Sequence, residues 1–305
     1  MNPESGTPLV ECRELVKSYR VRALAQKGRA FTAVDRVSLS LAPGETLALV
    51  GESGCGKTTI GKLLLRLVEP SAGSVKFAGS ELTGLPEKRI RPLRRRMQMI
   101  FQDPFGSLNP RFTVGRTIGE PLRLHEGLGG RRLSARIAEL LERVGLEPAH
   151  AARFPHEFSG GQRQRIAIAR AVSVNPDFVV ADEPVSSLDI SIQGQILKLL
   201  IELKRTTGMA MLFISHDLAV VHQISDRVAV MYRGRIVELA HVSTLFANPL
   251  HRYTRLLLES VLRPVPAGKV PEKPAPPERP IPLPSAATRL EQAEPGHWVL
   301  PEEGN

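Results

Sequence analysis

Gly51-Glu52-Ser53-Gly54-Cys55-Gly56-Lys57-Thr58 fits the phosphate-loop pattern G-x-x-x-x-G-K-[ST], and its surroundings decide the fold. Just before it, Thr46-Leu47-Ala48-Leu49-Val50 is a short apolar run suited to a buried strand. After it, residues 59 to 68 place Leu63, Leu64 and Leu67 at the spacing of an amphipathic helix. Strand, loop and helix in that order are the context the motif requires. Glycines let backbone approach phosphate oxygens with no Cβ between, while the helix start offers unpaired N–H groups and a positive dipole end. Gly51, Glu52, Ser53, Gly54, Cys55, Gly56, Lys57, Thr58 and Thr59 are therefore candidate nucleotide contacts. Lys57 would reach the β and γ phosphates of ATP, and Thr58 would ligate Mg²⁺.

A second chemical element is Phe178-Val179-Val180-Ala181-Asp182-Glu183-Pro184. An apolar strand ends there in two carboxylates, then in a proline that cannot continue the ladder. Asp182 can hold Mg²⁺ through water, and Glu183, one residue on, can polarise an attacking water. Taken alone, two acidic residues after a strand also read as a solvated turn. Their position more than a hundred residues beyond a phosphate loop favours the catalytic reading. Between the two elements lies Phe158-Ser159-Gly160-Gly161-Gln162, followed by Arg163, Gln164 and Arg165.

These pieces, in this order, resemble the nucleotide-binding subunit of ABC transporters. The resemblance also rests on Gln102 in Ile100-Phe101-Gln102-Asp103-Pro104, on Ser187-Leu188-Asp189 and on Ile214-Ser215-His216-Asp217. It covers residues 10 to 259. Phe158 stands where the family usually has Leu, and Thr58 where Ser is common; an apolar anchor and a hydroxyl are kept. A closer similarity is to the oligopeptide and dipeptide importer branch. It is carried by Met97-Gln98-Met99-Ile100 through Asn109-Pro110-Arg111, by Ile190-Ser191-Ile192-Gln193 after Asp189, and by Asn248-Pro249-Leu250-His251-Arg252-Tyr253-Thr254.

The resemblance implies an α/β fold: a RecA-like phosphate-loop ATPase core with a mostly parallel sheet, an N-terminal antiparallel β subdomain and an inserted helical subdomain. The ATPase domain would span residues 9–262, with the helical part at about 104–172. It implies two ATPase subunits arranged head to tail, the second identical or a sister. Each would hold one nucleotide on its own phosphate loop, Asp182 and Glu183. Ser159, Gly160, Gly161, Gln162 and Asp189 would contact the ATP held by the partner. Gln102 would sense Mg²⁺ and water, joining Thr58 and Asp182 around the metal, while His216 would contact the γ phosphate and act beside Glu183 in catalysis. Tyr19 lies where the family places an aromatic ring against adenine. Read without the other motifs, His216 is equally a surface histidine after a strand, and Tyr19 an ordinary strand tyrosine.

The implied partners are two integral-membrane permease subunits, a second ATPase subunit and, indirectly, a substrate-binding protein. The implied place is the cytoplasmic face of the inner membrane, peripherally bound. Peptide, nickel-chelate and glutathione-like cargoes all remain open. The alternative class, a soluble ABC ATPase acting on nucleic acid or ribosomes, usually has two cassettes in one chain or a long inserted coiled coil. One motif set and no long heptad run speak against it. A small-molecule kinase using the same loop leaves Ser159 to Gln162 unexplained.

Composition agrees with a compact body and a tail. The chain has 305 residues, 42% of them hydrophobic, enough to bury a good core. No apolar run approaches the ~18 residues of a membrane span, and Met1-Asn2-Pro3-Glu4-Ser5-Gly6 shows no secretory pattern. Two cysteines, Cys12 and Cys55, give neither a disulfide framework nor a zinc spacing. Cys55, near a helix start and Lys57, could have a lowered thiol pKa; it could equally be an inert small residue. Residues 263–305 are proline-dense and read as an extended, flexible tail. Gly296-His297-Trp298-Val299 resembles a remnant of the cysteine-bearing tail of the branch; with the cysteines missing, no iron–sulfur cluster is expected. Trp298 is a docking anchor or a loose residue of a disordered end. The net charge of +10 is +11 on the body and −1 on the tail, with cations densest at Lys88, Arg89, Arg91, Arg94, Arg95 and Arg96. Without interleaved aromatics this cluster reads as a solvated or lipid-facing surface, and no nucleic-acid partner is expected.

Overall fold

A computed structural model describes residues 7–20, 30–262, 281–285 and 288–302 of the chain. Its N-terminal strands, β1 (Val10–Arg20) and β2 (Ala30–Leu41), pair antiparallel and join β4 (Ala72–Phe77) and β5 (Ser80–Glu81) in a four-stranded sheet of order β2-β1-β4-β5. The larger sheet is built around β3 (Thr46–Val50), β6 (Met97–Ile100), β7 (Phe178–Asp182) and β8 (Ala210–Ser215), which run parallel. A hairpin of β9 (Arg227–Tyr232) and β10 (Arg235–His241) and a last pair, β11 (Glu291–Glu294) and β12 (His297–Val299), complete the order β11-β12-β10-β9-β3-β8-β7-β6.

The three central strands show why the apolar runs form this sheet. Every residue of β3, β7 and β8 is buried, as expected for parallel strands covered on both faces. Their side chains alternate between two cores. Ala48, Val50, Val179, Ala181, Met211 and Phe213 enter one core; Leu47, Leu49, Phe178, Val180, Leu212 and Ile214 enter the other. Each large side chain so buried contributes roughly 1.5–3 kcal/mol, and a one-residue slip would exchange the two sets. Between β9 and β10, Arg233 and Gly234 both take positive φ, 46° and 86°, the two-residue hairpin turn that matches strand twist.

Helix α1 (Lys57–Leu64) carries Ile60, Leu63 and Leu64 into the core beneath the antiparallel sheet. It is shorter than the sequence spacing predicts. Arg66 turns to φ 51° and Leu67 remains 45% exposed. Two single-turn helices, α2 (Glu87–Ile90) and α3 (Pro104–Ser107), precede α4 (Val114–Glu126), α5 (Gly130–Arg143) and α6 (Gly160–Val172). Leu133, Ile137, Leu140 and Leu141 line one face of α5 at helical spacing and pack in the same core as Ile166 to Ala169 of α6. Helices α7 (Ile190–Thr207) and α8 (Leu218–Ile224) return the chain to β8 and β9, and α9 (Val242–Ala247) and α10 (Arg252–Leu262) follow β10.

The tail corrects the sequence reading where it is described. β12 pairs with β10 through Glu238↔Val299 and Leu239↔Trp298, and β11 folds back on β12. Ile281 and Leu300 are buried in the main core, and Trp298 packs against the second. Trp298 therefore belongs to a strand paired on both sides, by β10 and β11, and is no loose end. Four-residue and three-residue strands leave almost no periodic signal, and their pairing depends on an open edge of β10 that a linear reading does not show. The proline run from Pro264 to Pro280 lies outside the described residues.

Candidate functional site: a cluster at the carboxyl ends of three parallel strands

The phosphate loop leaves β3 and enters α1. Its shape needs glycine at two points. At Gly51, φ 150°, a Cβ would lie 2.1 Å from the Met231 carbonyl oxygen; at Gly56, φ 112°, it would lie 2.1 Å from that of Ala33. Neither contact can be relieved by moving a side chain. The loop is thus pressed onto β9 and β2. Gly56 caps α1 with no side-chain bond, so the N–H groups of the first turn face outward for an anion. Lys57, only 5% exposed, curls over the loop, its Nζ donating to the carbonyl oxygens of Gly51 at 2.7 Å and Glu52 at 2.8 Å. A cleft of about 450 Å³ beside the loop is walled in part by Phe31, Thr32, Ser53 and Gly54.

β8 lies between β3 and β7, so Gly51, Asp182 and Ser215 come to the same end of the sheet, the ligand-binding end of parallel α/β folds. The Thr58 hydroxyl donates to Asp182 Oδ1 at 3.0 Å. Burial pushes the Asp182 carboxyl above its ordinary range, and the Thr58 bond opposes that shift. Two hard oxygen ligands at this spacing fit Mg²⁺, whose charge would offset the desolvation of Asp182.

Glu183 departs from the strand with φ 44°, a left-handed backbone that a glutamate rarely adopts. The turn aims its carboxylate at two side chains from neighbouring strand ends. Gln102 Nε2 donates to Glu183 Oε2 at 2.9 Å, and His216 Nδ1 lies 3.4 Å from the same oxygen. Hydrogen bonding to His216 holds the Glu183 carboxyl below the usual range, and the same bond raises His216. Glu183 is therefore a carboxylate around neutral pH, with His216 the more easily protonated for it.

Ser159, Gly160, Gly161, Gln162 and Asp189 form a separate group. Ser159 Oγ accepts from the Gln162 N–H, and Gln162 Oε1 accepts from the Ser159 N–H, a reciprocal capping box at the start of α6. A Cβ on Gly161 would meet Ile192 Cγ2 at 2.6 Å, and one on Gly160 would meet Leu188 Cδ2 at 3.5 Å. The start of α6 thus packs beside the start of α7, where Asp189 is N-cap without a side-chain bond and Ile190 is 88% exposed. The residues after Gln162 brace the fold: Arg163 donates to the carbonyls of Pro155 and His156, and Arg165 to that of Val144 and to Gln195.

Tyr19 is 41% exposed near the end of β1, paired in register with Phe31. Cys55 is buried, and desolvation raises its thiol against the lowering effect of Lys57. Of the two readings of Cys55, the inert small residue is the one this favours, because burial outweighs the nearby ammonium. In the basic cluster, Arg94 pairs with Glu87, Arg95 with Glu126 and Arg96 with Asp177. Half of those six cations are thus engaged within the fold.

Sequence reasoning assigned no role to Tyr253, whose hydroxyl oxygen accepts the Glu52 N–H at 3.0 Å. It lies 201 positions from its partner in the chain, and the only signal was its place in the His251-Arg252-Tyr253-Thr254 segment.

A family model described as "ABC transporter" matches residues 34–186, and one described as "Oligopeptide/dipeptide transporter, C-terminal region" matches residues 237–284. The glutathione import ATP-binding protein GsiA of Escherichia coli (strain K12) and that of Shigella flexneri are each 50% identical to the chain, covering 96% of it and 48% of the relative. The chain spans about half the length of these curated relatives. Among solved structures, the dimeric post-hydrolysis state of the ATP-binding cassette MJ0796 bound to ADP and Pi superposes with a TM-score of 0.69 at 28% identity, covering 76% of this chain and 98% of that one. CbiO1 from Clostridium perfringens, part of the ABC transporter complex cbiONQ, gives 0.68 at 26% identity, covering 79% and 91%.

Proposed function

The chain belongs to the ABC transporter family, and from that premise we propose that it is the ATP-hydrolysing subunit of an ABC importer for peptides or a glutathione-like cargo. The single observation that carries the ATPase reading is the convergence of Gln102 and His216 on one oxygen of Glu183, beside Thr58, Asp182 and Lys57. Lys57 would exchange the carbonyls of Gly51 and Glu52 for phosphate oxygens, and the α1 N–H groups would take the rest of the phosphate charge. Thr58 and Asp182 would hold Mg²⁺, which when bound neutralises charge on the β and γ phosphates. A carboxylate with a lowered pKa is a weak base, so Glu183 orients and polarises the attacking water more than it strips it of a proton. Gln102 and His216 fix that carboxylate and can follow it as the site changes.

Ser159, Gly160, Gly161, Gln162 and Asp189 would serve the nucleotide held by a second ATPase subunit. Support comes from the self-contained capping box at the start of α6, which leaves its first N–H groups free for an outside anion, and from the dimeric state of the MJ0796 cassette. The match of residues 237–284 to the oligopeptide/dipeptide C-terminal region supports the cargo class. Among the described residues no helix is long and apolar enough to cross a membrane. Attachment to the cytoplasmic face of the inner membrane would therefore run through two permease subunits, with a substrate-binding protein acting on their far side. Co-expression with such permeases tests the transport half: the chain should pellet with membranes only when they are present. Co-purification with ribosomes or nucleic acid instead would sink the importer reading.

A further inference from the structure

One peptide group in the phosphate loop is held from both sides. The carbonyl oxygen of Gly51 and the N–H of Glu52 belong to the same planar unit. Lys57 Nζ donates to that carbonyl, and Tyr253 Oη accepts that N–H. Gly51 sits at φ 150°, and glycine has no Cβ to resist rotation of the adjoining peptide. Once Lys57 turns from the Gly51 carbonyl to a phosphate, the Tyr253 bond is the side-chain contact that still fixes this plane.

Tyr253 is itself immobile. Its ring is 1% exposed and lies 4.4 Å from that of Tyr232, centroid to centroid. Its N–H donates to His251 Nδ1 at 3.1 Å, and the N–H groups of Leu250 and His251 donate to the two oxygens of the fully buried Glu238 on β10. The same carboxylate holds His297 of β12 at 2.7 Å. A rigid chain of bonds thus runs from the carboxyl-terminal strands to the second residue of the phosphate loop. Burial also pushes the Tyr253 phenol well up, so it stays a neutral hydroxyl across the working pH range.

We propose that Tyr253 is a positioning residue for nucleotide binding: its hydroxyl fixes the Gly51–Glu52 peptide plane so that Lys57 can move to phosphate while the loop keeps its shape. This rests on the reading of residues 51–58 as an ATP site. Tyr253 bonds the loop, whereas Glu183 is held by Gln102 and His216, so the effect falls on affinity.

The test compares full-length wild type with Tyr253→Phe, Tyr232→Phe and Lys57→Ala, measuring MgATP binding by equilibrium dialysis, steady-state KM and kcat, and hydrogen exchange at the Glu52 amide. Tyr253→Phe should raise Kd and KM for MgATP about three- to tenfold, the worth of one neutral hydrogen bond, leave kcat close to wild type and speed exchange at Glu52. Tyr232→Phe keeps the ring contact and removes only the bond accepted from the Ile281 N–H; its affinity should match wild type. Unchanged affinity and exchange in Tyr253→Phe would overturn the proposal. So would equal losses in both Phe variants, because ring packing would then be the cause. Failure of wild type to bind MgATP at all, with Lys57→Ala no worse, would instead overturn the phosphate-loop reading and the proposal with it.

Discussion

Glu183 and Glu238 lie in or next to the same sheet, each has a histidine beside it, and they are built for opposite ends. Glu238 is wholly inaccessible, and its oxygens take two backbone N–H groups together with His297, equally inaccessible, at 2.7 Å. Glu183 follows a strand end in a left-handed backbone; its carboxylate is reached by two side chains, and its histidine is 51% exposed at 3.4 Å. Backbone donors cannot turn away without unfolding a segment, whereas Gln102 and His216 can leave by rotating a side chain. A glutamate with fixed partners locks a fold. One with movable partners can respond to a ligand.

The sharpest way to break this contrast is to remove the negative charge from Glu183. Glu183→Gln preserves the shape of the side chain but cannot polarise water as a carboxylate does. Hydrolysis should fall by about a hundredfold or more, with MgATP affinity and urea midpoint near wild type. Turnover close to wild type, measured beside nucleotide binding on the same sample, would remove Glu183 from the mechanism.

A second pair of substitutions separates the loop from the capping box at the start of α6. Lys57→Ala should lose MgATP affinity, because Lys57 bonds within the loop that would hold the chain's own nucleotide. Ser159→Arg should bind MgATP normally and fail to hydrolyse it, since its nucleotide would be the partner's. Wild-type turnover should also rise more than linearly with protein concentration. Equal loss of binding in both variants would contradict a two-subunit site.

For Glu238 the expectation is reversed. Glu238→Ala strips partners from the half-buried Leu250 N–H and from the buried His251 N–H and His297, and should destabilise the fold by about 3 kcal/mol or more. Urea unfolding followed by tryptophan fluorescence reads this directly, because Trp298, the chain's one tryptophan, lies on the strand paired with β10. An unfolding midpoint equal to wild type would show that the tail is held by its apolar residues alone.

Legibility in the sequence divides along the same line. The phosphate loop, the strand ending in Asp182-Glu183 and the parallel core could be read because each is a short local pattern: glycines at fixed offsets, a lysine and hydroxyl, five apolar residues in a row. Glu238 and Tyr253 could not be read that way. The partners of their side chains lie between 12 and 201 positions off, and an acid inside Arg235–His241 looks like the polar face of an ordinary strand. The strands at 291–294 and 297–299 were hidden for the same reason, being too short to show a period and formed only by pairing with β10 or with one another.

Cys55 gives the smallest effect and a clean measure of how burial competes with local charge. Helix start and lysine alone favour a thiolate; the structure buries the thiol, and desolvation prevails. Cys12, buried in the second core, is pushed up to about 12 by the same cause. A raised pKa means less thiolate at any given pH, so maleimide should modify both cysteines slowly in the native protein at neutral pH. Labelling should keep accelerating as pH rises beyond the ordinary thiol range, with Cys55 ahead of Cys12 because Cys55 is 9% exposed and Cys12 only 1%. In denaturant the two should react alike. MgATP should slow Cys55 only modestly, since the folded loop already shields most of it. Mass spectrometry after a timed pulse decides the matter: rapid native labelling of Cys55 at neutral pH, abolished by MgATP, would show that the lysine and helix start outweigh burial after all.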